Sequence, residues 1–240
     1  MWCLPPLADA RFVATMEDVL EVYERPYDEQ RPVVCLDEAA KQILGEVREP
    51  LPMKPASASA SASASASGGQ EERFDNEYER RGTCAMFMLF EPLVSWREVR
   101  VRERRTALDY AEVIRYLCDE KYPQVQKIIL VQDNLNTHGA WSLYRAFEPH
   151  EPHEPQRLAQ RIEWHYTPKH GSWLNMAEIE LSVLARQRLK ERMESQKIIE
   201  EQVTAWQQRR NAQKVQVQWR FGLQDARCKI KRLYPKLLHS

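Results

Sequence analysis

Residues 128–133 read Ile-Ile-Leu-Val-Gln-Asp, a run of four apolar residues that leads into a polar residue and an acid. A short, continuous apolar run is typical of a strand that is buried on both faces of a sheet. Residues 33–37 repeat the pattern as Val-Val-Cys-Leu-Asp. Ligands gather at the carboxyl ends of parallel strands in α/β sheets. The two stretches therefore predict a buried sheet in which Asp37 and Asp133 stand at the ends of two strands.

The sequence around these stretches alternates between strand and helix patterns. Residues 83–90 and 97–102 predict two strands that flank a turn, and residues 162–166 predict another strand. Cap-type residues predict helices that begin at Thr106, Ser172 and Ser195, and a short helix is expected around residues 12–23. Three strands with hairpin-like links, followed by alternating helices and strands, predict an α/β fold with a mixed sheet.

Two segments have loop composition. Residues 56–67 alternate Ala and Ser and are followed by two glycines, which predicts a flexible surface loop. Residues 149–155 read Pro-His-Glu-Pro-His-Glu-Pro, and because proline opposes helix they are also expected to form a loop. We assign its two histidines no role, since histidines in such loops are usually solvated.

The composition excludes several classes of protein. Hydrophobic residues make up 43% and charged residues 29% of the 240 residues, as in an ordinary globular protein. No apolar run approaches the ~18 residues of a membrane span, and the first residues do not form a signal peptide. The five cysteines include no Cys-x-x-Cys pair, which argues against a disulfide framework and a zinc knuckle. We expect a cytoplasmic protein with reduced thiols in or near its core.

Charge is unevenly distributed along the chain. The totals balance at 35 basic and 35 acidic side chains, but residues 181–240 hold 14 Lys and Arg against 5 Asp and Glu. A basic segment on an acidic body can bind phosphate groups. Solvated faces of amphipathic helices are an equally good explanation of this pattern alone.

A third acid could complete a metal site with Asp37 and Asp133. If their strands are neighbours, the two carboxylates lie roughly 5 Å apart, which suits a pair of bridged divalent cations. The predicted helix after Ser172 offers Glu178 and Glu180, which point about 200° apart. Glu178 lies on a polar arc and is the better candidate, whereas Glu180 suits a surface acid or a partner for Arg or Lys. The alternative for the two Asp residues is that they cap turns at strand ends.

Three stretches then resemble the catalytic blocks of DDE transposases of the mariner superfamily, in its bacterial insertion-sequence branch. They are Val-Val-Cys-Leu-Asp-Glu (33–38), Ile-Leu-Val-Gln-Asp-Asn-Leu-Asn-Thr-His (129–138) and Tyr-Thr-Pro-Lys-His-Gly-Ser-Trp-Leu-Asn-Met-Ala-Glu-Ile-Glu (166–180). Residues 78–83 and 219–235 also look familiar from that branch. The resemblance implies an RNase H-like sheet, with three antiparallel strands plus parallel strands, flanked by helices.

The resemblance also implies a catalytic site and its ligands. Asp37, Asp133 and Glu178 match the acids that bind two Mg²⁺ or Mn²⁺ ions for DNA cleavage and strand transfer. Further residues could touch DNA: Asn134, His138, Lys169, His170, Arg186, Arg188 and Lys190. Alternatively, Asn134 and His138 orient the loop of Asp133, or His138 caps the next helix, and an exposed Lys beside a turn needs no role.

The implied partners are double-stranded DNA, both element ends and target, and a second copy of the chain. Family members usually carry helix-turn-helix domains ahead of the catalytic part, so an upstream partner product is a possible source of end recognition.

We expect a linker and short helix at 1–30, a catalytic domain at 31–194 and a basic helical segment at 195–240 that packs on it. The protein would act at the bacterial nucleoid. Alternatives are an RNase H-like nuclease without strand transfer and a catalytically silent DNA-binding remnant.

Overall fold

The computed structural model describes residues 4, 5, 7, 9–46, 77–147 and 153–234. The Ser/Ala segment at 56–69 lies outside the described residues, as does most of the proline-rich segment. The strands are β1 (Val33–Glu46), β2 (Tyr78–Glu91), β3 (Trp96–Arg102), β4 (Ile128–Gln132) and β5 (Ile162–Tyr166). The helices are α1 (Ala10–Glu24), α2 (Ala107–Tyr116), α3 (Ala140–Ala146), α4 (Glu154–Arg161), α5 (Met176–Arg188), α6 (Gln196–Ala212) and α7 (Leu223–Lys229).

The five strands form one mixed sheet in the order β3-β2-β1-β4-β5. The β2 strand runs antiparallel to both of its neighbours, β1 and β3, whereas β4 runs parallel to β1 and β5 parallel to β4. The predicted combination of three antiparallel strands with parallel strands is therefore confirmed. The apolar runs at 33–36 and 128–131 form the two adjacent central strands, as their continuous burial predicts.

Helices cover both faces of the sheet. One core contains apolar side chains of α1, α5, α6 and α7, and the other contains those of α2, α3 and α4. Alternation along β1 sends Val33 and Cys35 into the first core and Val34 and Leu36 into the second. Odd-numbered residues at the start of β1 therefore point toward the face of the sheet that α1 and α5 cover.

The β1 strand differs from the prediction, because it continues to Glu46 instead of ending near Asp37. Its parallel pairing with β4 ends at Cys35, but its antiparallel pairing with β2 continues to the register pair Glu46 and Tyr78. The extension depends on the partner strand, and the apolar run itself stops at Leu36.

The start of α5 also differs from the prediction. A 3₁₀ turn covers Ser172–Leu174, and Asn175 rather than Ser172 caps α5, with its side chain accepting from the backbone N–H of Ala177. Thr106 and Ser195 cap α2 and α6 as predicted. The end of the proline-rich segment is helical, because Pro155 fits the first turn of α4, where no backbone donor is needed.

Among the described residues, Cys35, Cys84 and Cys118 are buried and Cys228 is exposed, with none of the four in a disulfide. The position of Cys228 departs from the expectation of cysteines in or near the core. Within the described ranges, none of the helices is both long and apolar enough to cross a bilayer.

Candidate active site

Asp37 and Asp133 follow the last parallel pair of the two central strands. Cys35 pairs with Val131, and each acid lies two residues beyond its member of that pair. Because side chains alternate along a strand, Asp37 extends from the face of β1 that carries Cys35, under α1 and α5. Asp133 lies one residue beyond the end of β4. The expectation that the two strands are neighbours is confirmed, although Asp37 lies within β1 instead of at its end.

Glu178 lies in the first turn of α5, and the cap of this helix is fixed against β1. The Asn175 side-chain amide donates to the Leu36 carbonyl at 2.8 Å, one residue before Asp37. Tyr23 of α1 donates to the Leu174 carbonyl, also at 2.8 Å. Glu178 and Asp37 line the same depression, with a volume of about 410 Å³. The Oε2 atom of Glu178 is buried and has no hydrogen-bond partner.

The charges of two other acids act on Asp37. Burial raises the pKa of Asp37 to about 7, and the charges of Asp133 and Glu178 contribute to the rise. A hydrogen bond from the Glu38 backbone N–H, at 2.8 Å, and the charge of His138 oppose it. Mutual repulsion of this kind is expected where carboxylates share a site without a cation between them. Asp37 therefore lies within electrostatic reach of acids from two distant parts of the chain.

His138 lies in the loop that follows β4 and binds Asp133. Its Nδ1 atom is hydrogen-bonded to the Asp133 carboxylate, and its Nε2 atom lies 3.4 Å from the Glu38 carboxylate. The ring is fully buried and stacks on Tyr110, with 4.8 Å between ring centroids. Burial lowers the pKa of His138, but the bonds and charges of Asp133 and Glu38 outweigh burial and raise it to about 9.

This arrangement leaves no surface of His138 exposed to DNA, and the N-cap of α3 is Gly139 instead of His138. Glu38 is a member of the site that sequence reasoning missed. Its side chain is only 4% exposed and also lies 3.4 Å from the Arg105 guanidinium. Its position directly after Asp37 was the available signal, but alternation along a strand would place it on the opposite face of the sheet from Asp37.

The carboxylate oxygens of these acids are the type of donor that Mg²⁺ and Mn²⁺ prefer. The buried, unpartnered Oε2 atom of Glu178 and the raised pKa of Asp37 both fit a cation at this place. Within the described residues, no group of three or more His, Cys, Asp and Glu side chains is close enough together to hold a metal ion. His138 instead provides the cationic partner of Asp133.

Glu180 has a different role from Glu178. It is fully buried and forms ion pairs with Arg97 of β3 at 2.9 Å and with Arg210 of α6 at 2.7 Å. The predicted choice between a surface acid and a partner for arginine is therefore decided in favour of the partner. Glu180 therefore belongs to a buried ionic network, whereas Glu178, two residues earlier on the same helix, lines an open depression.

The predicted DNA-contacting residues fall into two groups. Asn134 and Lys169 are exposed and line a groove of about 460 Å³ with Arg11 of α1, a residue that sequence reasoning missed. His170 is exposed in the turn that precedes the 3₁₀ segment, with a positive φ of 65°. The second group lies at the end of α5, where Arg186 and Lys190 are exposed and Arg188 is half-buried. α5 ends at Arg188, so Lys190 lies beyond it.

Similarities to known proteins bear on the family and the fold of this chain. A family model described as DDE superfamily endonuclease matches residues 53–200, a range that contains Asp133 and Glu178 and begins after Asp37. No curated protein matches the sequence.

Three solved structures are similar to this chain. The Mos1 mariner paired end complex with Mn has 17% identity and a TM-score of 0.53, over 89% of this chain and 62% of that chain. The corresponding complex with Mg has 17% identity and a TM-score of 0.47, over 86% and 57%. A pre-cleavage Mos1 transpososome has 14% identity and a TM-score of 0.45, over 90% and 66%. At these identities the likeness shows the fold alone; the first match confirms the RNase H-like arrangement that the sequence predicts.

Proposed function

Because this chain belongs to the DDE superfamily endonucleases, we propose that it is the catalytic part of a transposase, which cuts DNA at the ends of an element and joins the freed ends to target DNA. The observation that supports the proposal is the placement of Asp37, Asp133 and Glu178. The first two follow the last parallel pair of the central strands, and the third shares a depression with Asp37. We assign the chain to the mariner superfamily and, from its motifs, to the bacterial insertion-sequence branch.

In this proposal Asp37, Asp133 and Glu178 hold two divalent cations, Mg²⁺ or Mn²⁺. Such cations activate an attacking water or 3′-hydroxyl and neutralise the charge that develops on the phosphate and the leaving oxygen. His138 binds the Asp133 carboxylate and lies 3.4 Å from the Glu38 carboxylate, so it would keep the Asp133 side chain in one orientation. Asn175 fixes the first turn of α5 to β1, so that Glu178 stays beside Asp37.

Double-stranded DNA is the proposed substrate, both as element ends and as target. Arg11, Asn134 and Lys169 line a groove beside Asp133, and Arg186 and Lys190 extend from the side of Glu178. Basic side chains on both sides of the acids suit a phosphate backbone that crosses them, so binding should weaken steeply with salt. His170 and Arg188 would take part in the same contact surface.

The chain spans 62% of the length of the first Mos1 chain it matches, so the assembly around the catalytic part is also a proposal. Joining two element ends requires two active sites, which favours a homodimer. We assign recognition of the end sequence to helix-turn-helix domains, as on an upstream partner product. Action on bacterial DNA would place the protein at the nucleoid.

The catalytic assignment is tested by replacing each acid with its amide. Asp37→Asn, Asp133→Asn and Glu178→Gln should each abolish Mg²⁺-dependent cleavage of a labelled duplex, because each removes a charged ligand while keeping the side-chain shape. The matched control is Glu201→Gln on the exposed surface of α6, which should cleave like the wild type. Cleavage retained by any of the three amide variants would reject the assignment of that acid.

Strand transfer is tested separately with a pre-cleaved, 3′-end-labelled duplex and a supercoiled plasmid. Covalent joining of the label to the plasmid supports a transposase. Cleavage without joining identifies a nuclease, and metal-independent DNA binding without cleavage identifies a silent remnant. The amide variants serve as the negative controls for joining.

A further inference from the structure

A second groove, with a volume of about 430 Å³, begins at Glu178 and leads away from Asp37. Trp173, Trp219 and Phe221 form its aromatic lining, and Arg186 and Arg220 supply positive charge. We call it the tryptophan groove. Glu178 lines both this groove and the depression that it shares with Asp37, so the two spaces meet at one carboxylate.

The aromatic lining is held in place before any ligand arrives. The Trp219 indole N–H donates to the Phe221 carbonyl at 2.7 Å. The Trp219 ring packs edge-on against the Tyr23 ring, with 5.3 Å between the ring centroids. Trp173 and Phe221 meet edge-on at 5.5 Å. A preorganised aromatic surface binds with a small loss of side-chain entropy.

The cations of the groove are available to a ligand. Arg186 and Arg220 are both exposed, and their hydrogen bonds are to neutral acceptors, the Ser182 carbonyl and the Gln218 amide respectively. An anion could therefore bind either guanidinium without breaking an ion pair with a carboxylate seen in the structure. Aromatic rings beside unpaired guanidinium groups are the combination that binds unstacked nucleotides, through base stacking and phosphate contact.

We propose that the tryptophan groove binds an unstacked nucleobase next to the phosphate that reacts, while Arg186 and Arg220 hold the adjoining phosphates. The inference rests on the proposed function, because it places the reacting phosphate at Asp37 and Glu178. The size of the groove suits one or two nucleotides and is too small for a duplex. Enzymes that open a duplex locally recover part of the unstacking cost from such pockets.

The test compares two probes that differ only in their bases. One is a duplex with a short 3′ overhang of thymidines, and the other carries abasic sugars in the same overhang. Binding is measured by fluorescence anisotropy with Ca²⁺ in place of Mg²⁺. If one base stacks in the groove, the full chain should bind the thymidine probe about 5- to 100-fold more tightly than the abasic probe.

Two variants locate the preference. Trp219→Ala removes the stacking ring, and Ile179→Phe enlarges a half-buried side chain that lines this groove and not the depression of Asp37. Both should bind the two probes equally. The control, Gln208→Phe, adds the same ring at an exposed position of α6 outside the groove and should keep the wild-type preference. Arg220→Ala should weaken binding of both probes by a similar factor, because both probes carry the phosphates.

Equal binding of both probes by the wild type would overturn the inference, as would a preference that survives Ile179→Phe. If Trp219→Ala fails to fold, which circular dichroism would reveal, Ile179→Phe decides the question. The outcome is separable from the proposed function. Metal-dependent cleavage with no base preference would reject the groove alone, whereas absence of cleavage and joining would reject the transposase.

Discussion

Glu178 and Glu180 show how residues two positions apart on one helix acquire opposite environments. Glu180 lies between the buried guanidinium groups of Arg97 and Arg210, whereas Glu178 has a buried oxygen without a hydrogen bond and faces the charge of Asp37. A buried ion pair that loses one partner leaves an uncompensated charge in the core. A carboxylate in a repulsive cluster loses nothing comparable when it is neutralised.

The two glutamates should therefore respond differently to the same substitution. Glu180→Gln should lower the free energy of unfolding by about 3–5 kcal/mol, because two buried arginines lose their counter-charge. Glu178→Gln should leave it unchanged or raise it in the metal-free protein. Urea denaturation in the presence of a chelator measures both. Equal losses of stability in the two variants would contradict the distinction between the network and the open site.

The metal-free protein should become less stable as pH rises, because Asp37 and His138 bind their protons more tightly in the folded state than in the unfolded state. The pKa of Asp37 is raised from 3.8 to about 7, so the folded state binds more protons than the unfolded state between these values, and stability falls with increasing pH across them. The pKa of His138 is raised from 6.5 to about 9, so its contribution is complete below 6.5 and is lost as pH rises through about 9.

Urea midpoints across this range, with and without Mg²⁺, measure the effect. Asp37→Asn should flatten the plot of stability against pH between about 3.8 and 7, where Asp37 titrates. It should leave the fall in stability caused by His138, between 6.5 and about 9, unchanged. Because a cation takes the place of protons among carboxylates, Mg²⁺ should stabilise the wild type most at the alkaline end. A wild-type stability that increases from pH 4 to 9 in chelator, or an Asp37→Asn profile of unchanged slope, would be inconsistent with this account.

At the scale of elements, α5 is positioned by its cap. Asn175 accepts from the Ala177 backbone N–H and donates to the Leu36 carbonyl, so one side chain begins the helix and ties it to β1. Asn175→Ala should cost about 1–3 kcal/mol of stability, because it removes the cap and leaves a buried carbonyl unpaired. Cleavage should fall as well, since Glu178 loses its fixed place beside Asp37.

Ser172→Ala is the matched comparison for Asn175→Ala. Ser172 is exposed, and no side-chain cap bond begins the 3₁₀ turn at this position, so its loss should change stability by less than about 0.5 kcal/mol. Differential scanning calorimetry and a cleavage assay on both variants measure the contrast. If Ser172→Ala were as damaging as Asn175→Ala, the cap would lie where the sequence alone places it.

The Ser172 prediction shows what sequence can and cannot fix in an element. Ser172 and Asn175 are both good cap residues, and the tertiary bond to the Leu36 carbonyl favours the second. The apolar runs located β1 and β4 correctly, because burial on both faces has a clear signature. The length of β1 was missed because it depends on pairing with β2. The contact of His138 with Asp133, five residues away in a loop, has no periodic signal at all.

At the scale of the molecule, both ends of the described chain complete the core over the α5 face of the sheet. Met16 and Leu20 of α1 and Trp206 of α6 are fully buried in it. The two ends also bond to each other: the Asp9 N–H donates to the Leu233 carbonyl at 3.0 Å, and Arg227 of α7 pairs with Glu17 of α1 at 2.9 Å.

α6 also protects the exposed edge of the sheet. The β3 edge strand donates the backbone N–H of Arg97 to Asn211, at 2.9 Å, and that of Val99 to Gln207, at 2.8 Å. Side-chain oxygens thus occupy donors that an unprotected edge would offer to another strand. The basic C-terminal segment has a structural role in addition to any contact with DNA.

The catalytic domain that the sequence predicts at 31–194 should therefore not fold by itself. Without α1, α6 and α7, one face of the sheet exposes its apolar side chains, and the β3 edge loses its partners. A fragment of residues 31–194 should melt without a cooperative transition and bind a hydrophobic dye, whereas residues 4–234 should keep the sharp transition of the full chain. Circular dichroism and dye fluorescence measure both. A cooperative transition in the short fragment would show that the terminal helices are additions to the catalytic unit and not parts of its core.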